Sequence, residues 1–235
     1  MSVLAFDTCF GQVSVAVRQR GPDGAWATHT LAETRATGHA ERLLPMIEAV
    51  MHAAGVRFSE LSRIAVSTGP GTFTGVRTGI AAARALSLAS GKPVAGLTSL
   101  SLMMHGARDR LGGDAAILEA RQPLTVAVDA RRGEVYFQQF DGRGTQLREP
   151  QILPLAAALD LIADDALIVG SGGPLLAEFA ATRGRRVDAV LPVLEPDARY
   201  LAGLAGTLPL LDPVTPLYLR APDAKPQTAK SLPRA

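Results

Sequence analysis

The sequence predicts an α/β fold of two similar lobes produced by internal duplication, and three observations point to it. A strand, an Asp, a turn Gly and a second strand with period-two alternation occur twice, with Asp7 and Asp129, Gly11 and Gly133, and Val13 and Val135 each 122 residues apart. Each copy is followed by alternating helical and strand periodicity, as layered α/β folds require. The 235 residues are 47% hydrophobic and 20% charged, enough to bury a substantial core and unlike a disordered chain.

The elements follow in chain order. Val3 to Phe6 is an apolar run that stops at Asp7-Thr8, turns near Gly11, and resumes as Val13, Val15 and Val17, which reads as a β-hairpin. From Thr37 the spacing becomes helical: Ala40, Leu43, Leu44, Ile47, Val50, Met51 and Ala54 line one stripe, closed by Gly55. Pro45 lies inside this stripe and predicts a kink or a later start. Leu61 to Ser67 reads as a strand. Gly75 to Ser90 reads as a second helix whose Gly75, Gly79, Ala82, Ala83 and Ala89 would admit another helix at close range. In the second half, Val126 to Val128 and Val135 to Phe137 repeat the hairpin. A helix around Pro154 to Ala163, a strand at Ala166 to Val169 and a helix after Pro174 then follow. The expected divisions are a first lobe at 1–107, a second lobe at 108–220 with the boundary near Gly112-Gly113, and a disordered tail at 221–235.

Charge and cysteine content limit the function classes. With 24 basic and 22 acidic residues the net charge is +2, and the segment from Arg220 onward carries Arg220, Lys225, Lys230 and Arg234 against Asp223. The body is therefore about neutral and gives no sign of a nucleic-acid groove, and aromatic residues at 5% favour helix packing over stacking platforms. The single cysteine, Cys9, makes neither an internal disulfide nor a thiolate cage, so a reducing compartment and a cytoplasmic location are expected. Met1 to Val17 lacks a basic leader and contains Asp7 and Gln12, a poor signal peptide, and no apolar run is long enough for a membrane helix.

The sharpest local signal is Thr68-Gly69-Pro70-Gly71-Thr72-Phe73-Thr74-Gly75-Val76-Arg77, a glycine-rich loop that leaves a strand and opens a helix. Such a loop can offer backbone N–H groups to phosphate, with Asp7, Gly69, Gly71, Thr72 and Gly75 as a vestigial nucleotide or phosphate site. It can equally be a tight reversal that only glycine permits. It has neither a Walker Lys-Ser/Thr ending nor dinucleotide spacing. Gly170-Ser171-Gly172-Gly173-Pro174 stands at the matching place in the other half and leaves the same two readings open.

Four segments carry a resemblance to a known family: Leu4-Ala5-Phe6-Asp7-Thr8 with Ser14-Val15-Ala16-Val17; His39-Ala40-Glu41-Arg42-Leu43-Leu44-Pro45; Gly69-Pro70-Gly71-Thr72-Phe73-Thr74-Gly75-Val76-Arg77; and Pro216-Leu217-Tyr218-Leu219-Arg220. Over residues 3–220 the chain resembles the TsaB (YeaZ) family. The resemblance implies two lobes of the actin, hexokinase and Hsp70 (ribonuclease H-like) type. It also implies a part in forming threonylcarbamoyladenosine at position 37 of tRNAs that read codons beginning with A. The implied partners are the paralogue TsaD, which transfers the threonylcarbamoyl group, and the ATPase TsaE; tRNA would be met through the complex.

The paralogue uses a His-x-x-x-His pair to grip a metal ion, two imidazoles one helical turn apart. Read in parallel from Lys92-Pro93-Val94-Ala95-Gly96, those positions are Ser99 and Met103 here, and His29, His39, His52 and His105 include no such pair. No His-Glu-x-x-His occurs, against a glycoprotease-type metallopeptidase. Asp7 and Asp129 read as a remnant Mg-nucleotide site or, preferably, as turn aspartates bonding nearby N–H groups. Cys9 has no assignable base and reads as a packing residue, and His39 as a local cap. The expectation is a noncatalytic subunit without cofactor or metal. Its first two helices would dock on TsaD through Arg42, Met46, Glu48, Gly75, Gly79 and Ala83, and would form a homodimer when isolated. The rivals are a stand-alone actin-like ATPase or phosphotransferase and, behind it, the metallopeptidase.

Overall fold

The computed structural model describes residues 1–112, 123–164 and 166–220; the end of the expected lobe boundary, residues 113–122, and the tail, 221–235, lie outside them. Two five-stranded sheets carry the fold. The first contains β1 (Ser2–Asp7), β2 (Gln12–Arg20), β3 (Trp26–Thr34), β4 (Arg63–Ser67) and β5 (Val94–Leu97) in the order β3-β2-β1-β4-β5. β1, β2 and β3 pair antiparallel, and β4 and β5 continue parallel to β1. The second sheet contains β6 (Leu124–Arg131), β7 (Glu134–Phe140), β8 (Gln151–Pro154), β9 (Leu167–Val169) and β10 (Asp188–Val190). Its order, β8-β7-β6-β9-β10, is the first order element for element, with the same antiparallel and parallel partners. The expected duplication and the two-lobed fold are therefore present in the topology. β3, β5, β8 and β10 complete what the two predicted hairpins begin.

Helices cover the sheets by burying their apolar stripes. α1 (His39–Ala54) and α2 (Phe73–Ser90) cover one face of the first sheet, where Leu43, Met46, Ile47, Val50, Val76 and Ile80 meet Leu4, Phe6, Val15 and Ile64. Pro45 neither starts nor ends α1; the helix runs through it, with Gly55 closing it in a left-handed cap. α3 (Ser99–Arg110) lies between the sheets, its Met103, Met104 and Ala107 packing with Leu124, Val126 and Phe140. α4 (Leu155–Asp160) and α5 (Gly173–Ala181) cover the far face of the second sheet through Leu159, Leu176 and Ala180.

The chain then crosses back. α6 (Ala198–Leu204) packs Ala198, Leu201 and Ala202 on Val3, Ala5, Ala16 and Ala65, the second face of the first sheet. Beyond it, Leu211 N–H donates to Val94 O at 2.8 Å, and Leu217 N–H donates to Thr68 O at 2.7 Å. Arg84 on α2 holds Val214 O from Nε at 2.9 Å. Residues 198–217, placed by the expected boundary in the second lobe, thus complete the first, because its small-residue face needs a cover that no earlier helix fully supplies. No described helix is long and apolar enough to cross a membrane.

Candidate functional site

A cavity of about 990 Å³ opens between the lobes. Its first-lobe wall is the β1–β2 turn (Phe10, Gly11) and the glycine loop (Pro70 to Phe73); the opposite wall is Val128 to Arg131, Tyr136 and Ser171, with Glu195 and the stretch Leu217 to Arg220 between them.

The glycines of the loop serve close backbone approach. A Cβ on Gly75 would stand 2.1 Å from Thr8 O, and one on Gly71 would stand 2.5 Å from Cys9 O. Gly69 has φ +102 and its peptide to Pro70 is cis. The space these glycines leave is used: Thr8 Oγ1 donates to Gly75 O at 2.7 Å, and Thr72 N–H donates to Cys9 O at 2.8 Å. Thr72 Oγ1 caps α2 by accepting from Gly75 N–H at 3.1 Å. The Thr72 and Gly75 amides are thus committed inside the chain, as a tight reversal requires. The second cluster works in the same way, for Gly172 N–H donates to Ala127 O at 3.0 Å and a Cβ on Gly170 would meet that same oxygen at 2.5 Å.

Asp7 is fully buried at the end of β1, behind the cavity wall. Its Oδ1 accepts from Cys9 N–H at 3.1 Å, the turn bond expected of it. Its Oδ2 and the neighbouring Ser67 hydroxyl have no partner of good geometry. Burial pushes the Asp7 carboxyl up to about 6, against the favourable bonds it does make. Asp129 makes the matching turn bond, accepting from Arg131 N–H at 2.8 Å, and pairs with Arg131 Nη1 at 3.3 Å.

Glu195 was not legible in the sequence, since it stands in an aperiodic stretch between β10 and α6. It lines the cavity and lies close over Gly11, where a Cβ would stand 3.0 Å from Glu195 Oε1. Burial, and then the nearby Asp7 charge, raise the Glu195 carboxyl to about 7. The segment after it is strapped to β2: Gln12 Nε2 donates to Pro196 O at 3.1 Å, and Ala198 N–H donates to Ser14 Oγ at 3.0 Å.

Cys9 is buried, and burial beside Asp7 raises its thiol well above its usual value, the opposite of an activated nucleophile. His39 Nε2 donates to Phe10 O at 2.8 Å, pinning the start of α1 to the hairpin turn. Ser99 and Met103 are both buried on α3, and Ser99 Oγ donates to Pro70 O. Among the described residues no three His, Cys, Asp or Glu side chains converge in a way that would hold a metal ion.

The expected docking residues divide. Glu48 is exposed, and Arg42 is half-buried and paired with Glu33, its Nε donating to Oε2 at 2.9 Å. Met46, Gly75, Gly79 and Ala83 are buried within this chain. Gly75 and Gly79 of α2 admit the β1–β2 turn of the same chain: a Cβ on Gly79 would lie 2.8 Å from Thr8 Oγ1. The outward face of the same helices instead carries Leu44, 56% exposed, and Leu88, 89% exposed.

Comparison with known proteins agrees with this geometry. The family model described as "TsaD: tRNA N6-adenosine threonylcarbamoyltransferase" matches residues 31–203. The tRNA threonylcarbamoyladenosine biosynthesis protein TsaB of Haemophilus influenzae is 30% identical over 239 residues, covering 94% of each chain. The chain belongs to the TsaB (YeaZ) family. An uncharacterized protein from Mycobacterium tuberculosis is 34% identical, over 96% of this chain and 94% of its own. The crystal structure of YeaZ from Pseudomonas aeruginosa superposes with a TM-score of 0.73 at 29% identity, covering 93% of this chain and 99% of that one. The two-sheet TsaB architecture is thus that of a solved relative across nearly its whole length.

Proposed function

We propose that this chain acts in the biosynthesis of tRNA threonylcarbamoyladenosine as a noncatalytic subunit in the cytoplasm. It docks on a TsaD-type paralogue, which performs the transfer at adenosine 37, with a TsaE-type ATPase completing the assembly. The observation that carries this reading is the pair Ser99 and Met103. They hold the helical positions that match the paralogue's ion-gripping imidazoles, and both are packed into the core. Met103 is apolar, and the Ser99 hydroxyl is already spent on Pro70 O. The names of the relatives, one of them spanning nearly all of this chain, support membership of the pathway.

The docking face is the outward side of α1 and α2, where Leu44 and Leu88 stand open to solvent and Glu48 gives a polar rim. The same face accounts for a homodimer in the isolated chain. Reconstitution tests the function: with TsaD, TsaE, the adenylate donor and tRNA, product formation requires this chain. Equal product in its absence would overturn the reading. Leu88→Asp reduces pairing with TsaD and product together while leaving the thermal melt unchanged.

A further inference from the structure

At the mouth of the interlobe cavity two aromatic rings stay on the surface in a fixed arrangement. Phe73, the first residue of α2, and Tyr218, in the returning C-terminal segment, stack with ring centroids 5.6 Å apart and planes 27° apart. Arg77, one turn along α2, lays its guanidinium 3.6 Å over Phe73 and donates from Nε to the Tyr218 hydroxyl at 2.7 Å. Phe73 is 48% exposed and Tyr218 41%, although every other Phe but one is at most partly exposed. The cluster is tied down from beneath, since Leu217 N–H is held by Thr68 O at the end of β4. Its rings are therefore ordered before anything binds, which lowers the entropic cost of contact.

One positive charge at the cluster, that of Arg77, is uncompensated. Arg131 is neutralised by Asp129, and Arg220 by Glu134. Arg77 meets the two rings and has no carboxylate partner among the described residues, so its terminal nitrogens are available to an oxyanion. Exposed aromatic rings beside an unneutralised planar cation match the chemistry of unpaired nucleotides, a base for the rings and a phosphate for the guanidinium. An apolar protein surface would use the rings but would leave the Arg77 charge desolvated and unpaired.

We propose that Phe73, Arg77 and Tyr218 form a stacking platform for unpaired bases of tRNA, so that this chain contacts the RNA directly. The identity of the RNA rests on the function proposed above; the platform itself rests on geometry. The test uses the full chain and a fluorescently labelled anticodon stem–loop RNA, with a fully paired hairpin of the same length as control. The chain binds the looped RNA in preference to the paired one. Phe73→Ala and Tyr218→Ala each weaken binding about tenfold, as the loss of one stacked base predicts, whereas Tyr218→Phe binds within about twofold of the original. Arg77→Ala weakens binding and lowers the slope of affinity against salt by about 1. Unchanged thermal melts exclude misfolding as the cause. In the reconstituted system the same substitutions raise the KM for tRNA and leave kcat alone.

Absence of RNA binding by the full chain, or binding that is indifferent to all three side chains, would overturn the proposal while leaving the scaffold function intact. Loss of TsaD pairing with RNA affinity unchanged would also overturn it, by assigning the cluster to the protein interface. Failure of the chain to stimulate modification would instead sink the scaffold reading, whatever the RNA affinities.

Discussion

Asp7 shows how a residue can be placed correctly by sequence and still have its chemistry hidden. The strand–Asp–turn pattern gives its position and its bond to Cys9 N–H, but only packing reveals that it is fully buried, with one oxygen lacking a good partner. Its carboxyl rises from 3.8 to about 6 in the folded chain. The folded state therefore holds the proton more tightly than the unfolded state, and stability falls as pH rises through that window and stays low above it. The ionised group costs about 3 kcal/mol above pH 6. Asp7→Asn keeps the oxygen that accepts from Cys9, so it is expected to stabilise the protein by up to about 3 kcal/mol at pH 8 and to have little effect near pH 4. Urea denaturation at the two pH values checks this, and equal effects at both would refute it. Glu195, raised from 4.5 to about 7, acts with the same sign over the adjoining window. Gly75 gives a second residue-level expectation. Gly to Ala inside a helix ordinarily gains about 1 kcal/mol. Here the new methyl would lie 2.1 Å from Thr8 O, so Gly75→Ala is expected to lose about 2 kcal/mol or more, read as a lower urea midpoint.

Among the elements, periodicity located α1, α2 and both hairpins because each buries one face, and a buried face imposes a pattern on the chain. The outcome for partner contacts was different. The stripe logic showed that α1 buries Leu43, Ile47 and Val50, but small residues on α2 signal close approach without saying to what. The approaching group is the Thr8 turn of the same chain. Leu44, grouped with the stripe by spacing, is in fact outside it at 56% exposure. Pro45 is exposed in the interior of α1 and cannot donate to the carbonyl four residues before it. Pro45→Ala restores that donor and is expected to raise stability by about 1 to 3 kcal/mol, measurable as a higher melting temperature. β3, β5 and the 198–217 return were not legible. β3 is an edge strand of the sheet with mostly exposed residues, β5 has only four residues, and the return has short elements joined by Pro-rich turns.

At the scale of the whole molecule, the matched Asp, Gly and Val positions proved to mark two sheets with one strand order. The cavity between them was only half legible. The glycine loops announced its rim, whereas Glu195, Tyr136 and the Phe73–Arg77–Tyr218 cluster come from segments distant in sequence, and no local pattern records their meeting. Low aromatic content pointed away from a stacking surface, and the fold sets two exposed rings side by side. The exposed leucines of α1 and α2 predict self-association when TsaD is absent. Sedimentation at high micromolar concentration is expected to show a dimer, and Leu88→Asp a monomer. A wild-type monomer under those conditions would count against this face.

The crossing of residues 198–217 back onto the first sheet bears on how the polypeptide is made. The half that leaves the ribosome first has one side of its sheet only partly covered, by Leu102 of α3, until α6 emerges. The amino-terminal lobe thus cannot mature ahead of its sister during translation, and a message cut short before α6 would yield a product with a half-covered, sticky alanine-lined surface rather than half a working protein.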